Sequence, residues 1–271
     1  MVTNGFLIEN YPGLEAPLPG PAFAARLQQH LDRFELSVYR AEVNRVDADG
    51  SGWILRTDRE SILAPCVILA TGTTPREWEL PEDSVARRRL FTEVGELLDV
   101  FPSPHRVLVI GGGEAAFDYA LSLARAGAEV TILVRGATAR AKGRLWELVN
   151  NTSQIRIEYG TRVTSLVESA TGMTAWLETQ RGAEQQSIDA VLTAIGRTRN
   201  TPNLPGSLAE QMDQKALRPA PGLFVCGDAR CGSVGQAGIA VGDGLQAAAE
   251  AVAWTTRRQH RRTQLHARGD F

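Results

Sequence analysis

One run of ten residues constrains this chain more than any other. Val107 to Ala116 reads V-L-V-I-G-G-G-E-A-A, an apolar strand followed by G-x-G-x-x-A at the start of a helix that runs through Ala126. Gly127 and a second strand, Glu129 to Val134, complete a βαβ unit. Gly111 permits the tight turn. Gly113 lets backbone N–H groups at the helix start, Glu114 and Ala115, approach a pyrophosphate, and Ala116 lets helix and strand pack closely. A bare glycine turn does not require the strands and helix around it, so the whole unit predicts dinucleotide binding.

The end of the second strand selects the dinucleotide. An NAD site places Asp or Glu there for the ribose 2′-hydroxyl, whereas a 2′-phosphate calls for a cation. This chain offers Arg135 and then Arg140, with no acid between Glu129 and Glu147. A guanidinium fork matches phosphate in shape and charge, so NADPH is expected ahead of NADH. The plainer reading, two solvated loop arginines, stays open.

Composition narrows the partners. The formal charge of −2 over 271 residues argues against nucleic acid, which binds through a basic surface that releases counterions. No apolar run has the length of a membrane span and the N-terminus carries no leader pattern, so a cytoplasmic protein is expected. Cys66, Cys226 and Cys231 form no disulfide framework. The four histidines lack ligand spacing, so no metal site is predicted.

Around the βαβ unit lies further α/β pattern. A helix is expected over Gly20 to Phe34, with Phe23, Leu27, Leu31 and Phe34 on one stripe. Strands are expected at 36–46, 53–57 and 61–63, and at 66–70, where Cys66-Val67-Ile68-Leu69-Ala70 reads as buried on both faces. Residues 73–104 are polar, with Arg87-Arg88-Arg89, and contain a domain crossing. Strands follow at 155–159, 162–168, 174–179 and 190–195, then 222–226, with a last helix over about 236–254 and a basic tail, Arg257 to Arg268. The tail is read as a solvated, frayed terminus. Leu223 to Ala229, L-F-V-C-G-D-A, delivers Gly227 and Asp228 to a strand end, where ligands of α/β sheets bind.

Taken in order, I-E-N-Y-P-G (Ile8 to Gly13), V-I-L-A-T-G (Val67 to Gly72), the G-G-G unit, A-I-G-R (Ala194 to Arg197), C-G-D-A (Cys226 to Ala229) and G-Q-A (Gly235 to Ala237) resemble the thioredoxin reductase type of the pyridine nucleotide-disulfide oxidoreductase superfamily. The resemblance implies an α/β architecture in which a Rossmann-like nicotinamide-binding domain, residues 86–198, is inserted into an FAD-binding domain made of 1–85 and 199–271. It implies FAD as a second cofactor, with Asn10, Thr71, Gly72, Gly227, Asp228, Gly235, Gln236 and Ala237 around it and Gly196 in the nicotinamide part. Arg135 and Arg140 match two of the family's arginines around the 2′-phosphate. It also implies a homodimer and a small-molecule or protein electron acceptor. The cofactors carry the chemistry, so no side chain is named as acid, base or nucleophile.

Two departures qualify that picture. In the family another strand, G-x-G-x-x-G and helix precede I-E-N-Y-P-G, and here only Met1 to Leu7 stand before it. Three readings follow: a shortened piece, which we prefer, a sheet completed by another chain, or a relative that has lost ordinary FAD binding and acts as a non-catalytic nucleotide-binding module. Second, residues 84–105, where the family carries C-x-x-C, contain no cysteine. Dithiol exchange needs a thiolate and a resolving partner. Cys226 and Cys66 are expected in the core instead.

Overall fold

The computed structural model describes residues 2–50, 52–79, 88–169, 172–213, 215–232 and 235–268. It divides into two compact units, Met1–Glu35 with Pro75–Gly196, and Leu36–Thr74 with Arg197–Phe271. The expected boundary between 85 and 86, with Arg87, falls outside the described residues.

The first unit is built on a parallel sheet of β6 (Leu90–Phe91), β13 (Ala190–Thr193), β7 (Arg106–Ile110), β8 (Glu129–Val134) and β9 (Ile155–Tyr159), in that order. Its central strands are apolar throughout because both faces are covered. Val107 and Val109 turn toward α2 (Val94–Val100), α3 (Glu114–Arg125) and α4 (Gly143–Asn150), where Leu97, Phe117, Leu123 and Val149 are buried. Leu108 and Leu133 point the other way, against an antiparallel meander of β10 (Arg162–Ser169), β11 (Gly172–Thr179) and β12 (Gly182–Ile188), and meet Leu166, Met173, Leu177 and Ile188 there. Nineteen buried side chains make up the helical-side core. At about 1.5–3 kcal/mol for each large apolar side chain removed from water, this core is the main stabilising term of the unit.

The second unit repeats that plan around a smaller sheet. β4 (Val67–Leu69) pairs in parallel with β15 (Leu223–Val225). One face packs on the meander β1 (Val43–Asp49), β2 (Gly52–Thr57) and β3 (Ser61–Ala64), burying Val46 and Trp53, and on α5 (Gly206–Asp213) through Leu208 and Met212. The other face places Phe224 and Cys226 on Ala247 and Ala251 of α7 (Ala237–Arg268). A ribbon of β5 (Thr73–Pro75) with β14 (Arg197–Arg199) lies where the chain passes between units, and α6 (Asp228–Cys231) follows β15.

Several expected elements differ. The helix near the N-terminus, α1 (Gly20–Asp32), buries Phe23 alone of its predicted stripe; Leu27, Leu31 and Phe34 are exposed, because only its first turn meets other elements. Residues 36–42 are not a strand; Glu35 turns the chain at a φ of 48° and β1 begins at Val43. The 66–70 strand is not buried on both faces: Val67 and Leu69 are buried but Ile68 is 40% exposed, and its only pairing partner among the described residues is β15. The last helix does not stop near Trp254 and fray; its backbone is helical through Arg268.

Candidate functional site

The glycine turn is built as its spacing predicts. Gly111 sits at φ 149°, and a Cβ there would stand 2.4 Å from the Ala194 carbonyl oxygen. No residue with a side chain fits that turn. Gly113 forms the N-cap of α3 with no side chain capping it, so the first-turn amides of Glu114 and Ala115 lie at an open helix N-terminus. Ala116 is fully buried against the sheet. An anion at this end meets unpaired N–H groups and the positive end of the helix dipole.

The loop after β8 closes over this turn. Arg140 N–H donates to the Gly112 carbonyl at 2.6 Å and Ala141 N–H to the same oxygen at 3.1 Å. Arg140 Nη2 lies 3.6 Å from the point where a Cβ on Gly113 would be. The guanidinium therefore stands over the open helix end. Arg135 is exposed at the end of β8. Beyond it, Ala137, Ala139, Lys142, Trp146 and Tyr159 line a shallow cavity of about 430 Å³. Gly196, at φ 119°, accepts the Arg76 N–H at 3.0 Å and is the last residue of this unit, beyond the end of β13.

In the second unit a separate group assembles at the C-terminal ends of β4 and β15. Thr71 and Gly72 follow β4; Gly72 takes φ 70°, its carbonyl accepts Asn200 N–H at 3.0 Å, and Asn200 Nδ2 donates to the Thr71 carbonyl at 3.3 Å. Gly227 takes φ 64° after β15 and turns Asp228 to the head of α6. Gly235 lies directly against the Asp228 carboxylate, where a Cβ would come within 2.7 Å of Oδ1. Burial pushes the Asp228 carboxyl above its ordinary range, and the Arg197 charge pulls it back. Gln236 and Ala237 open α7, with the Gln236 carbonyl accepting Ala240 N–H at 2.9 Å.

Asn10 is not in the same unit as that group. It is exposed and belongs to the first unit, with the glycine turn, while Thr71, Gly72, Gly227, Asp228, Gly235, Gln236 and Ala237 all belong to the second.

Sequence reasoning missed the residue that fixes the Gly227 turn. Asp243, 7% exposed inside α7, accepts Gly227 N–H at 3.1 Å, Arg230 Nε at 2.7 Å and the Cys231 thiol at 3.5 Å. Arg230 holds its carboxyl below the usual range. The signal was present, since Asp243 shares the buried face of α7 with Ala247 and Ala251, and a charge on an apolar helix face implies a buried partner.

The thiols are not poised for exchange. Burial pushes the pKa of Cys66, Cys226 and Cys231 upward, which withholds the reactive thiolate. Cys226 is in the core as expected; Cys66 is only partly covered. No group of three or more metal-ligating side chains occurs among the described residues, and none of their helices is long and apolar enough to cross a membrane.

Comparison with known proteins agrees with this geometry. Residues 9–220 match the family model described as pyridine nucleotide-disulphide oxidoreductase. A glucosaminate ammonia-lyase of Pseudomonas fluorescens is 29% identical over 206 residues, which cover 74% of this chain and 64% of that protein, just under two thirds of its length. A thioredoxin reductase of Treponema pallidum is 28% identical over 254 residues, covering 91% of this chain and 83% of the relative. The crystal structure of Lactococcus lactis thioredoxin reductase superposes with a TM-score of 0.80 at 22% identity, over 94% of this chain and 87% of that one. The chain belongs to the pyridine nucleotide-disulphide oxidoreductase family, as a thioredoxin reductase-like oxidoreductase.

Proposed function

We propose that this chain is the nicotinamide-handling part of an NADPH-dependent flavoprotein oxidoreductase that serves its acceptor without a C-x-x-C pair. The observation that carries the reading is the open N-terminus of α3 with Arg140 standing over it. In this reading residues 86–198 bind the nicotinamide dinucleotide, and 1–85 with 199–271 form the flavin-binding part.

The residues present fit NADPH. Gly111 and Gly113 clear space for a pyrophosphate, the Glu114 and Ala115 amides donate to it, and Arg135 and Arg140 supply the cations that a 2′-phosphate requires. The fit to FAD is partial. Asp228 and Gly235 form a cradle that a ribityl hydroxyl enters as a donor, and Thr71, Gly72, Gln236 and Ala237 stand at the same sheet end. Residues 1–271 contain one strand–G-x-G-x-x-A–helix unit, and it lies in the first unit. When bound together, a nicotinamide supplies hydride and a flavin accepts it and passes electrons on. The protein's own part is to bind, orient and hold charge. The acceptor is a small molecule or a protein, and a homodimer is the state the resemblance implies.

The test is the visible spectrum together with NADPH titration. Residues 1–271 are expected to bind NADPH with weak or no flavin absorbance, and to gain both flavin and acceptor reduction when a βαβ segment is joined upstream. Failure to bind NADPH sinks the proposal. One tightly held FAD per chain of this length shows that another segment receives the pyrophosphate.

A further inference from the structure

The loop between β8 and α4 is held at both ends, and beside it lies a space that the glycine turn does not use. At its far end the Arg140 and Ala141 amides donate to the Gly112 carbonyl, at 2.6 and 3.1 Å, and Ala141 is buried in the core. At its near end Gly160 N–H donates to the Gly136 carbonyl at 3.1 Å and Thr161 N–H to the Val134 carbonyl at 3.3 Å, which ties the loop to the turn after β9. The cavity of about 430 Å³ beside this loop is therefore bounded by anchored backbone.

Ala137, Ala139 and Gly143 clear its space, and Trp146 and Tyr159 give it aromatic walls. Trp146 is not placed there by the core. Leu145, Leu148 and Val149 are the residues of α4 that pack into the helical-side core, and Trp146 lies about 100° around the helix from that face, 43% exposed. Lys142 lines the same cavity. From Arg135 to Trp146 the chain carries Arg135, Arg140, Lys142 and Arg144, and no carboxylate. Arg144 is engaged by Glu9 at 3.1 Å, and Arg140 Nη2 stands over Gly113 at the pyrophosphate end. Arg135 and Lys142 remain for an anion at the cavity.

An aromatic-walled cavity with a cation, beside the loop that reads the ribose, fits a planar base whose sugar carries a phosphate. We propose that Trp146 and Lys142 form the adenosine end of the nucleotide site: the adenine ring stacks on Trp146, and Lys142 joins Arg135 on the 2′-phosphate. The assignment rests on the proposed function, because it gives the NADPH of that reading a place for its base. The two residues then do different work. Adenine is common to NADPH and NADH, so the stack on Trp146 sets affinity for both. The 2′-phosphate belongs to NADPH alone, so Lys142 sets the preference between them.

Titration of residues 1–271 with NADPH, adenosine 2′,5′-bisphosphate, 5′-AMP and nicotinamide mononucleotide, followed by tryptophan emission and by calorimetry, tests this. The bisphosphate is expected to quench part of the emission of the five tryptophans, and the quenching to vanish in Trp146→Phe, which retains most of the affinity because a phenyl ring still stacks. Trp146→Ala is expected to weaken NADPH, the bisphosphate and 5′-AMP by roughly tenfold. Lys142→Ala is expected to weaken NADPH and the bisphosphate by roughly tenfold and to leave 5′-AMP unchanged. The mononucleotide, which has no adenine, is expected to be indifferent to every change. Binding of NADPH with the quenching intact in Trp146→Phe, or with full affinity in Trp146→Ala, overturns the inference and leaves the proposed function standing. Equal losses for the bisphosphate and 5′-AMP in Lys142→Ala overturn the lysine's part. Failure of the wild-type chain to bind NADPH sinks both readings. If Trp146→Ala fails to fold, the emission of Trp146→Phe decides.

Discussion

In the proposed function two arginines bear the choice of nucleotide, and they differ in where their backbone is held. Arg140 is anchored, because its own N–H is bonded to Gly112 and its guanidinium stands over Gly113. Arg135 stands at a strand end, and both side chains are exposed, so ordering either costs rotamer entropy on binding. A charge-assisted contact contributes about 1.5–3 kcal/mol. Arg135→Ala is expected to weaken NADPH binding toward the lower end of that range with NADH nearly unchanged, whereas Arg140→Ala, whose guanidinium also faces the pyrophosphate end that both nucleotides share, is expected to weaken both and NADPH more. Calorimetric titration with each nucleotide checks this, and equal losses for NADPH and NADH refute the 2′-phosphate assignment.

At the scale of elements, the turn after β15 depends on α7 through one carboxylate. Asp243→Ala removes the acceptor of Gly227 N–H and leaves Arg230 without its partner, which is expected to cost about 3 kcal/mol in denaturant unfolding. Because Arg230 lowers the folded pKa of Asp243, its stabilisation is present above the ordinary carboxylate range and is lost as pH falls through the lowered value. Asp243→Asn is expected to remove that acid-side loss.

The same scale shows what the sequence made legible. The β7–α3–β8 unit was readable to within a residue because strand, glycine turn and helix specify one another locally. The meander strand β12 escaped notice because G-A-E-Q-Q-S-I is polar; its place comes from pairing with β11, not from its own pattern. The α1 stripe misled for the reverse reason: periodic apolar residues mark a face able to be buried, and the described residues bury only Phe23. Asn4 and Asp118 carry no motif at all, since Asn4 meets Gly95 from 91 positions away and Asp118 meets Phe6 from 112.

For the molecule as a whole, the proposed function gives the thiols no part in the electron route. With no C-x-x-C and with each cysteine held in its protonated form, acceptor reduction in a flavin-loaded form is expected to survive alkylation and a Cys226→Ser, Cys231→Ser double change. Retained flavin and fold with abolished turnover would reveal a redox pair. The arrangement of the chain has one more outcome, in the order of its synthesis. The first unit is completed by residue 196, but the second is closed only when late residues return to early ones, as Trp53 does in donating to the Pro221 carbonyl 168 positions on. Among the described residues the strand paired with Val67, Ile68 and Leu69 is β15, which is made late. An apolar strand without its pair recruits any other it meets. Nascent chains should therefore depend on chaperone shielding during the second half of translation, and yield should improve when elongation through residues 197–226 is fast.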